Sequence, residues 1–306
     1  MSAGSIFLPL RDALKPLVPV RARRSLVKAR HRLRALTARW RVVPDFVIIG
    51  CQRGGTSSLY RYLGMHPEIS PSLRKETEYF TAKFPEGESW YRAHFPLALR
   101  HRIATALGKR RLAFEATPDY LVDPRAPARC HALLPDARIV VMLREPGERA
   151  LSQFHHNVRH RFETETFARA IELEQSRISD DLAEMADDPS TSATAFRRYS
   201  YLARGDYAEQ LQRWFDLYPR DRFLILESEE FFSDPDRVFG KVLDFVGARR
   251  WSPPEFRNYS YLDRGVVGHE EVPAELRGVL DQRFKEANKR LRDLIDADLQ
   301  WLDREL

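Results

Sequence analysis

The sequence contains few cysteines and no long hydrophobic segment. Cys51 and Cys130 are the only cysteines among its 306 residues, so no disulfide framework can stabilise the fold and a reducing compartment is expected. No apolar run approaches the roughly 18 residues that span a bilayer. Residues 6–20 are interrupted by charges and prolines, which is typical of neither a transmembrane helix nor a signal peptide. These absences together predict a cytoplasmic protein.

Acidic residues are almost missing from the N-terminal segment. Residues 1–45 contain 11 Lys and Arg and two acids, a balance of 11 − 2 = +9, whereas the whole chain carries +6. The positive charge therefore lies in one arm and not in the globular body, which argues against a nucleic-acid partner. Apolar residues recur every three or four positions between Leu26 and Trp40, and predict a basic amphipathic helix within an arm of residues 1–44. This helix either packs on the domain or makes peripheral contact with an anionic membrane.

Short apolar runs alternate with helical patterns over residues 45–306, which are predicted to form one domain. This alternation indicates an α/β, P-loop-like three-layer fold with a central, mainly parallel β-sheet flanked by helices. Ligands of such sheets bind at the carboxyl ends of the strands. Residues 179–194, rich in Asp, Ser, Thr and Ala, are predicted to be an exposed, mobile insertion. The expected strands are residues 46–49, 112–114, 139–143 and 223–226, and the expected helices are residues 56–65, 149–159, 207–218 and 273–302.

A glycine-rich turn lies where the first of these strands gives way to a helix. Its backbone N–H groups and the helix N-terminus converge on one point, which should bind an anion. The glycines allow phosphate oxygens to approach the backbone, and Arg53 adds a permanent positive charge. A Walker A motif would require lysine at Thr56, so a P-loop nucleotide kinase or NTPase is disfavoured, while a purely structural turn remains the alternative. The turn reads Gly50-Cys51-Gln52-Arg53-Gly54-Gly55-Thr56-Ser57-Ser58.

A second strand-to-helix junction follows residues 139–143 and reads Arg144-Glu145-Pro146-Gly147-Glu148-Arg149-Ala150-Leu151-Ser152. Together the two junctions resemble the PAPS-dependent sulfotransferase superfamily, whose donor is 3′-phosphoadenosine 5′-phosphosulfate. The resemblance implies that Gln52, Arg53, Gly54, Gly55, Thr56, Ser57 and Ser58 bind the 5′-phosphosulfate. It likewise implies that Arg144 and Ser152 bind the 3′-phosphate, with Arg264 as a further ligand on that side.

Two further segments resemble the carbohydrate sulfotransferases, including the heparan-sulfate enzymes, and the chain is most similar to bacterial members of this type. They are Arg74-Lys75-Glu76-Thr77-Glu78-Tyr79-Phe80 and Phe114-Glu115-Ala116-Thr117-Pro118-Asp119-Tyr120-Leu121. The resemblance implies that Glu76 is the general base, with Glu78 as the second candidate. Arg53 would stabilise charge without donating a proton, because a guanidinium does not deprotonate in proteins. Lys75 and His156 complete the expected catalytic group.

One position departs from the resembling enzymes, because Ala116 replaces an active-site lysine. Lys75, Arg159 and His156 are the candidates to supply the missing positive charge. No metal is expected, since sulfuryl transfer to an alcohol needs none and the histidines near residue 156 lack a suitable set of partners.

The sequence therefore predicts a sulfotransferase with PAPS as co-substrate and a hydroxyl or amine acceptor, expected on a carbohydrate or glycolipid. The alternative is a non-catalytic protein that binds a membrane surface or a polyanion and keeps a degenerate nucleotide-binding fold.

Overall fold

A five-stranded, wholly parallel β-sheet forms the centre of the computed structural model, which describes residues 20–188, 190–257, 259, 272 and 274–303. The strand order is β2-β3-β1-β4-β5. All five strands consequently end at the same edge of the sheet. Their bounds are β1 Phe46–Gly50, β2 Ile69–Pro71, β3 Leu112–Ala116, β4 Arg138–Leu143 and β5 Phe223–Glu227.

Alternation along β1 explains why helices cover both faces of the sheet. Successive strand side chains point to opposite faces. Val47 and Ile49 belong to one hydrophobic cluster, together with Trp214 on a helix, while Phe46 and Ile48 belong to another. Both faces are buried, as expected for a parallel sheet. The predicted three-layer α/β class is confirmed.

In the described part of the chain, between one and five α-helices separate consecutive strands. Those described are α1 Val20–Ala35, α2 Thr56–Met65, α3 Glu88–Arg92, α4 Ala98–Ala106, α5 Asp119–Val122, α6 Ala126–Leu133, α7 Pro146–Arg159, α8 Phe167–Glu172, α9 Glu174–Asp187, α10 Thr194–Tyr199, α11 Tyr207–Phe215, α12 Ser228–Ser233, α13 Pro235–Val246, α14 Ala274–Leu294 and α15 Gln300–Asp303.

Most sequence-predicted elements are present, and α2 has the predicted bounds. Two predictions differ from the structure. Residues 179–194 are not a loop insertion, because α9 occupies the first half of this segment and Met185 packs in a cluster with Phe196, although most side chains of the segment are exposed as predicted. The predicted helix over residues 273–302 is interrupted between α14 and α15, where Ile295 and Leu299 pack into the core. Sequence reasoning also missed β2.

The N-terminal helix α1 is fixed to the domain by arginines. Arg34 donates to the carbonyl oxygens of Ala93 (2.6 Å) and Phe95 (2.5 Å), and Arg41 donates to the latter at 2.8 Å. The described part of the arm, residues 20–44, therefore packs on the domain through one side. The proposed division into an arm of residues 1–44 and a domain of residues 45–306 remains a prediction. Among the described residues, no helix is long and apolar enough to cross a membrane.

Candidate active site

The turn after β1 has the backbone geometry of an anion site. Gly55 caps α2 with φ +89°, and a Cβ there would lie 2.9 Å from a ring carbon of Phe232. Only glycine suits this position, since L side chains rarely adopt such a φ and the space is filled. Ser228, which follows β5, donates its hydroxyl to the carbonyl oxygen of Gly54 (2.9 Å). This bond holds the turn so that the N-terminus of α2 faces the edge of the sheet, where it can bind an anion.

The junction after β4 meets this turn. Arg144 is buried, the hydroxyl of Tyr207 donates to its carbonyl oxygen (2.9 Å), and its guanidinium lies 3.8 Å from the Glu148 carboxylate. Two helical turns further along α7, the hydroxyl oxygen of Ser152 accepts a hydrogen bond from Nε of Arg53 (3.1 Å). The two motifs that the sequence identified separately are thus in direct contact.

A cleft of about 250 Å³ lies at the carboxyl edge of the sheet. It joins five of the ten predicted donor-binding residues to all of the predicted catalytic ones. Gly54, Ser58, Arg144 and Ser152 are not among its lining residues, and Arg264 lies outside the described residues. A larger cavity of about 320 Å³ beside β5 contains no sequence-predicted site residue. The cleft is lined by Gln52, Arg53, Gly55, Thr56, Ser57, Lys75, Glu76, Pro118, His156, Arg159 and Tyr259.

Glu76 reaches the cleft from an unusual backbone conformation. Its φ is +59° and that of Glu78 is +57°, in the left-handed region that non-glycine residues seldom occupy. The N–H of Glu76 donates to the carbonyl oxygen of Ala116 at the end of β3 (3.0 Å), and its carboxylate pairs with Lys75. The Glu76 side chain is 45% exposed. A carboxylate is therefore held at the cleft next to a cation, facing the anion-binding turn.

Comparison with known proteins shows the family of this chain. The sequence profile of the sulfotransferase domain family matches residues 43–259. The chain belongs to this sulfotransferase family. The "Membrane-associated sulfotransferase kil1" of Dictyostelium discoideum is 25% identical over 85% of this chain and 66% of its own length. The human "Heparan sulfate glucosamine 3-O-sulfotransferase 6" is 27% identical over 84% of the chain and 73% of its own length.

A solved structure also has the fold of this sulfotransferase domain. The sulfotransferase of Alicyclobacillus acidocaldarius is 29% identical, has a TM-score of 0.64, and covers 86% of this chain and 100% of its own. Other curated relatives are longer proteins, and the chain spans 53% and 47% of the next two.

Beneath Glu76, the sulfotransferase domain contains a buried carboxylate that sequence reasoning did not single out. Glu115 in β3 is fully buried and accepts hydrogen bonds from the hydroxyls of Thr77 (2.5 Å), Tyr91 (2.7 Å), Thr117 (3.0 Å) and Tyr120 (3.0 Å). Burial raises the pKa of Glu115, although the four hydroxyl donors act in the opposite direction. Since Thr77 lies between the two left-handed glutamates, this bond holds the segment that carries Glu76. The signal in the sequence was a glutamate inside an otherwise apolar strand.

The second candidate base, Glu78, is engaged elsewhere. Its carboxylate lies 2.9 Å from the guanidinium of Arg197, which also donates to Asp119 (2.8 Å). Arg204 donates to the other oxygen of Asp119 (2.8 Å). Burial would raise the pKa of Asp119, but the guanidinium groups of Arg204 and Arg197 hold it below its usual value. Glu78 is thus paired with Arg197 and 17% exposed, whereas Glu76 is 45% exposed and lines the larger cleft. A smaller cavity of about 130 Å³ beside the cleft is lined by Glu78, Asp119 and Arg197, together with Gln52 and Glu76.

One further carboxyl group lies behind Arg144. Glu229, in α12, accepts a hydrogen bond from the backbone N–H of Glu145 (3.2 Å). Burial raises the pKa of Glu229 to about 6, although the positive charge of Arg144 acts against this. The group therefore changes charge close to neutral pH, next to a predicted phosphate ligand.

The Glu115 network generates a prediction about stability. Replacing Thr77 by Val removes one hydroxyl from a buried carboxylate, so the free energy of unfolding should fall by about 1–3 kcal/mol. The matched control is Thr164→Val, because Thr164 is exposed, and its effect should stay within about 0.5 kcal/mol. Denaturant titration of both variants checks this. Equal effects of the two substitutions would contradict the assigned role of Thr77.

Proposed function

We propose that this protein transfers a sulfuryl group from PAPS to a hydroxyl or amine of an acceptor, by direct in-line transfer. The observation that carries the proposal is the shared cleft, in which the anion-binding turn at residues 52–57 faces the Lys75 and Glu76 pair. Membership of the sulfotransferase family supports the reaction class. The names of the heparan sulfate relatives support a carbohydrate or glycoconjugate as the acceptor.

The residues around the turn fit the donor. The amides at the start of α2, the hydroxyls of Thr56 and Ser57, and the Arg53 guanidinium would bind the 5′-phosphosulfate. Arg144 and Ser152 would bind the 3′-phosphate, and the contact between Ser152 and Arg53 supports a single continuous donor site. The assignment of Arg264 to that site stays a prediction. The donor supplies the sulfuryl group and an adenosine 3′,5′-bisphosphate leaving group.

The chain's own residues would manage the proton and the charge. Glu76 accepts the proton that the acceptor loses as it attacks sulfur. Arg53 stabilises the charge that develops on the departing phosphate oxygen, acting electrostatically because it stays protonated. Lys75 orients the Glu76 carboxylate by their ion pair. His156 and Arg159 line the same cleft and are the candidates to replace the cation missing at Ala116.

Cytoplasmic residence, a bacterial source, the absence of a nucleic-acid partner and the absence of a metal are further predictions. The rival function is that of a non-catalytic surface-binding protein. Such a protein does not require a carboxylate and a candidate anion site in the same cleft. The two functions differ in one measurable property, because only the enzyme requires a selective donor site.

Donor binding provides the first test. Calorimetric titration with adenosine 3′,5′-bisphosphate should give binding that is selective over ATP. Arg144→Ala should weaken it by about 2 kcal/mol, roughly thirtyfold, because a charge-assisted contact to a phosphate is lost. Arg169→Ala is the matched control, since that arginine is exposed and pairs with Glu172 on the surface. A folded protein that does not bind the bisphosphate would overturn the proposal.

Catalysis by Glu76 provides the second test. Glu76→Gln keeps the shape but cannot accept a proton, so kcat should fall by roughly 10²–10⁴-fold while bisphosphate affinity stays unchanged. The control is Glu86→Gln, because Glu86 lies on the surface 3.9 Å from Lys83. Sulfation of a panel of sugar acceptors with labelled donor is the measurement. An equal loss in both variants, or a stable sulfo-enzyme on mass spectrometry, would contradict the mechanism.

Glu229 predicts a pH dependence. It is neutral below pH 6 and negatively charged above it, so its charge competes with phosphate for Arg144 only at the higher pH. Glu229→Gln should therefore match the wild type in bisphosphate affinity at pH 5 and exceed it by about tenfold at pH 8. Both proteins bind the same ligand, so protonation of the ligand's phosphates changes both affinities equally and cancels in their ratio. A constant affinity ratio across this range would exclude the effect.

A further inference from the structure

Two segments of the chain contain many cations and no acid. Residues 20–44 have nine Lys and Arg, residues 97–111 have five, and neither segment contains Asp or Glu. The structure brings them side by side, because Arg41 forms an antiparallel bridge with Leu97 and the N–H of Val42 donates to the carbonyl oxygen of Pro96 (3.1 Å). We call the surface formed by residues 27–41 and 97–111 the basic face.

The basic face also exposes large apolar side chains. On the α1 side these are Leu33, Leu36 and Trp40, and on the α4 side Leu99, Ile103 and Leu107; each is between 52% and 78% exposed. Leu99 and Ile103 are four residues apart and therefore share one side of α4. Apolar residues that cluster in this way mark an interaction surface, whereas single exposed ones need no explanation.

Cations surround these apolar groups. The guanidinium of Arg39 lies 4.2 Å from the centre of the Trp40 ring. Beside α4, a surface pocket of about 190 Å³ is lined by Arg100, Lys109 and Arg111, together with Ile103 and Leu107, and no acid contributes to it. The acidic side chains of the neighbouring residues 83–92 already form ion pairs. Glu88 pairs with Arg92 (2.5 Å) and Glu86 with Lys83 (3.9 Å). The combination fits a ligand that is anionic at its head and apolar behind it.

The basic face lies at the end of the sheet opposite the cleft. Arg41 precedes β1 and Lys109–Arg111 precede β3, so both segments adjoin the amino ends of the strands. The cleft adjoins the carboxyl ends. A protein bound through the basic face would consequently keep its cleft directed away from the surface to which it is attached.

We propose that the basic face docks on a bilayer that contains anionic phospholipids, with the leucines, Ile103 and Trp40 entering the headgroup boundary. Exposed cations provide attraction to anionic lipid, and apolar side chains flanked by Lys and Arg provide the insertion that peripheral binding requires. A soluble polyanion would use the cations alone and would leave the apolar side chains in water. The inference does not depend on the proposed reaction.

Vesicle sedimentation of the full chain tests the proposal. The protein should bind vesicles of phosphatidylcholine mixed with phosphatidylserine, bind phosphatidylcholine alone weakly, and dissociate as salt is raised. The double variants Leu33→Ser/Ile103→Ser and Arg100→Glu/Lys109→Glu should each reduce the partition coefficient by about tenfold or more. The matched control is Val279→Ser/Lys289→Glu on α14, where both side chains are exposed, and it should bind like the wild type.

Two further readouts keep the outcomes distinct. The emission spectrum of Trp40 is obtained by subtracting the spectrum of Trp40→Phe from that of the wild type. Addition of vesicles should shift this spectrum to shorter wavelength, which reports insertion of the ring without a charge variant. Bisphosphate affinity should be unchanged in all the surface variants, so a failed donor site and a failed docking face are separable. Binding to heparin or duplex DNA that is lost in the charge variant but kept in the apolar one, without vesicle binding, would overturn the proposal in favour of a polyanion partner.

Discussion

The parallel direction of all five strands is the constraint on which the site depends. Because every strand ends at the same edge, five separate stretches of sequence meet there. The turn after β1 is the candidate anion site, the segment after β2 supplies Lys75 and Glu76, and the residue after β4 is Arg144. The segments after β3 and β5 support them, through Pro118 in the cleft wall and Ser228 bonded to the glycine turn. A sheet with even one reversed strand would move one of these groups to the opposite edge.

Buried charge near the cleft is arranged in two different ways. Glu115 is surrounded by neutral hydroxyl donors, whereas Asp119 lies between two guanidinium groups. Both arrangements satisfy a carboxylate that would otherwise destabilise the fold strongly, and both lie beside the segment that carries Glu76. The left-handed backbone of that segment is costly by itself, so neighbouring contacts must stabilise it. Rigid polar support of this kind keeps a partly exposed carboxylate in place beside the cleft.

The sequence predicted the parts of the molecule that depend on local pattern. Continuous apolar runs identified β1 and β4, and the glycine turn was predicted at the junction between β1 and α2, where the structure has it. It could not predict β2, because that strand has three residues, Ile69 to Pro71, and no apolar run. It could not predict the Glu115 network either, since the partners of that side chain are up to 38 residues away in the chain and meet only when the sheet forms. The helix α9 was not predicted because the sequence after residue 178 is rich in polar residues and shows little of the apolar side that packs on the domain.

The bond between Arg53 and Ser152 links two residues assigned to opposite ends of the donor. Under the proposed function, a nucleotide with an anionic group at one end only would engage one of these two side chains and offer no anionic group to the other. A nucleotide with anionic groups at both ends satisfies both. Under the proposed function, selectivity against ordinary mononucleotides thus arises from the distance between two anionic groups on the ligand. This distance is the same whichever base the nucleotide carries.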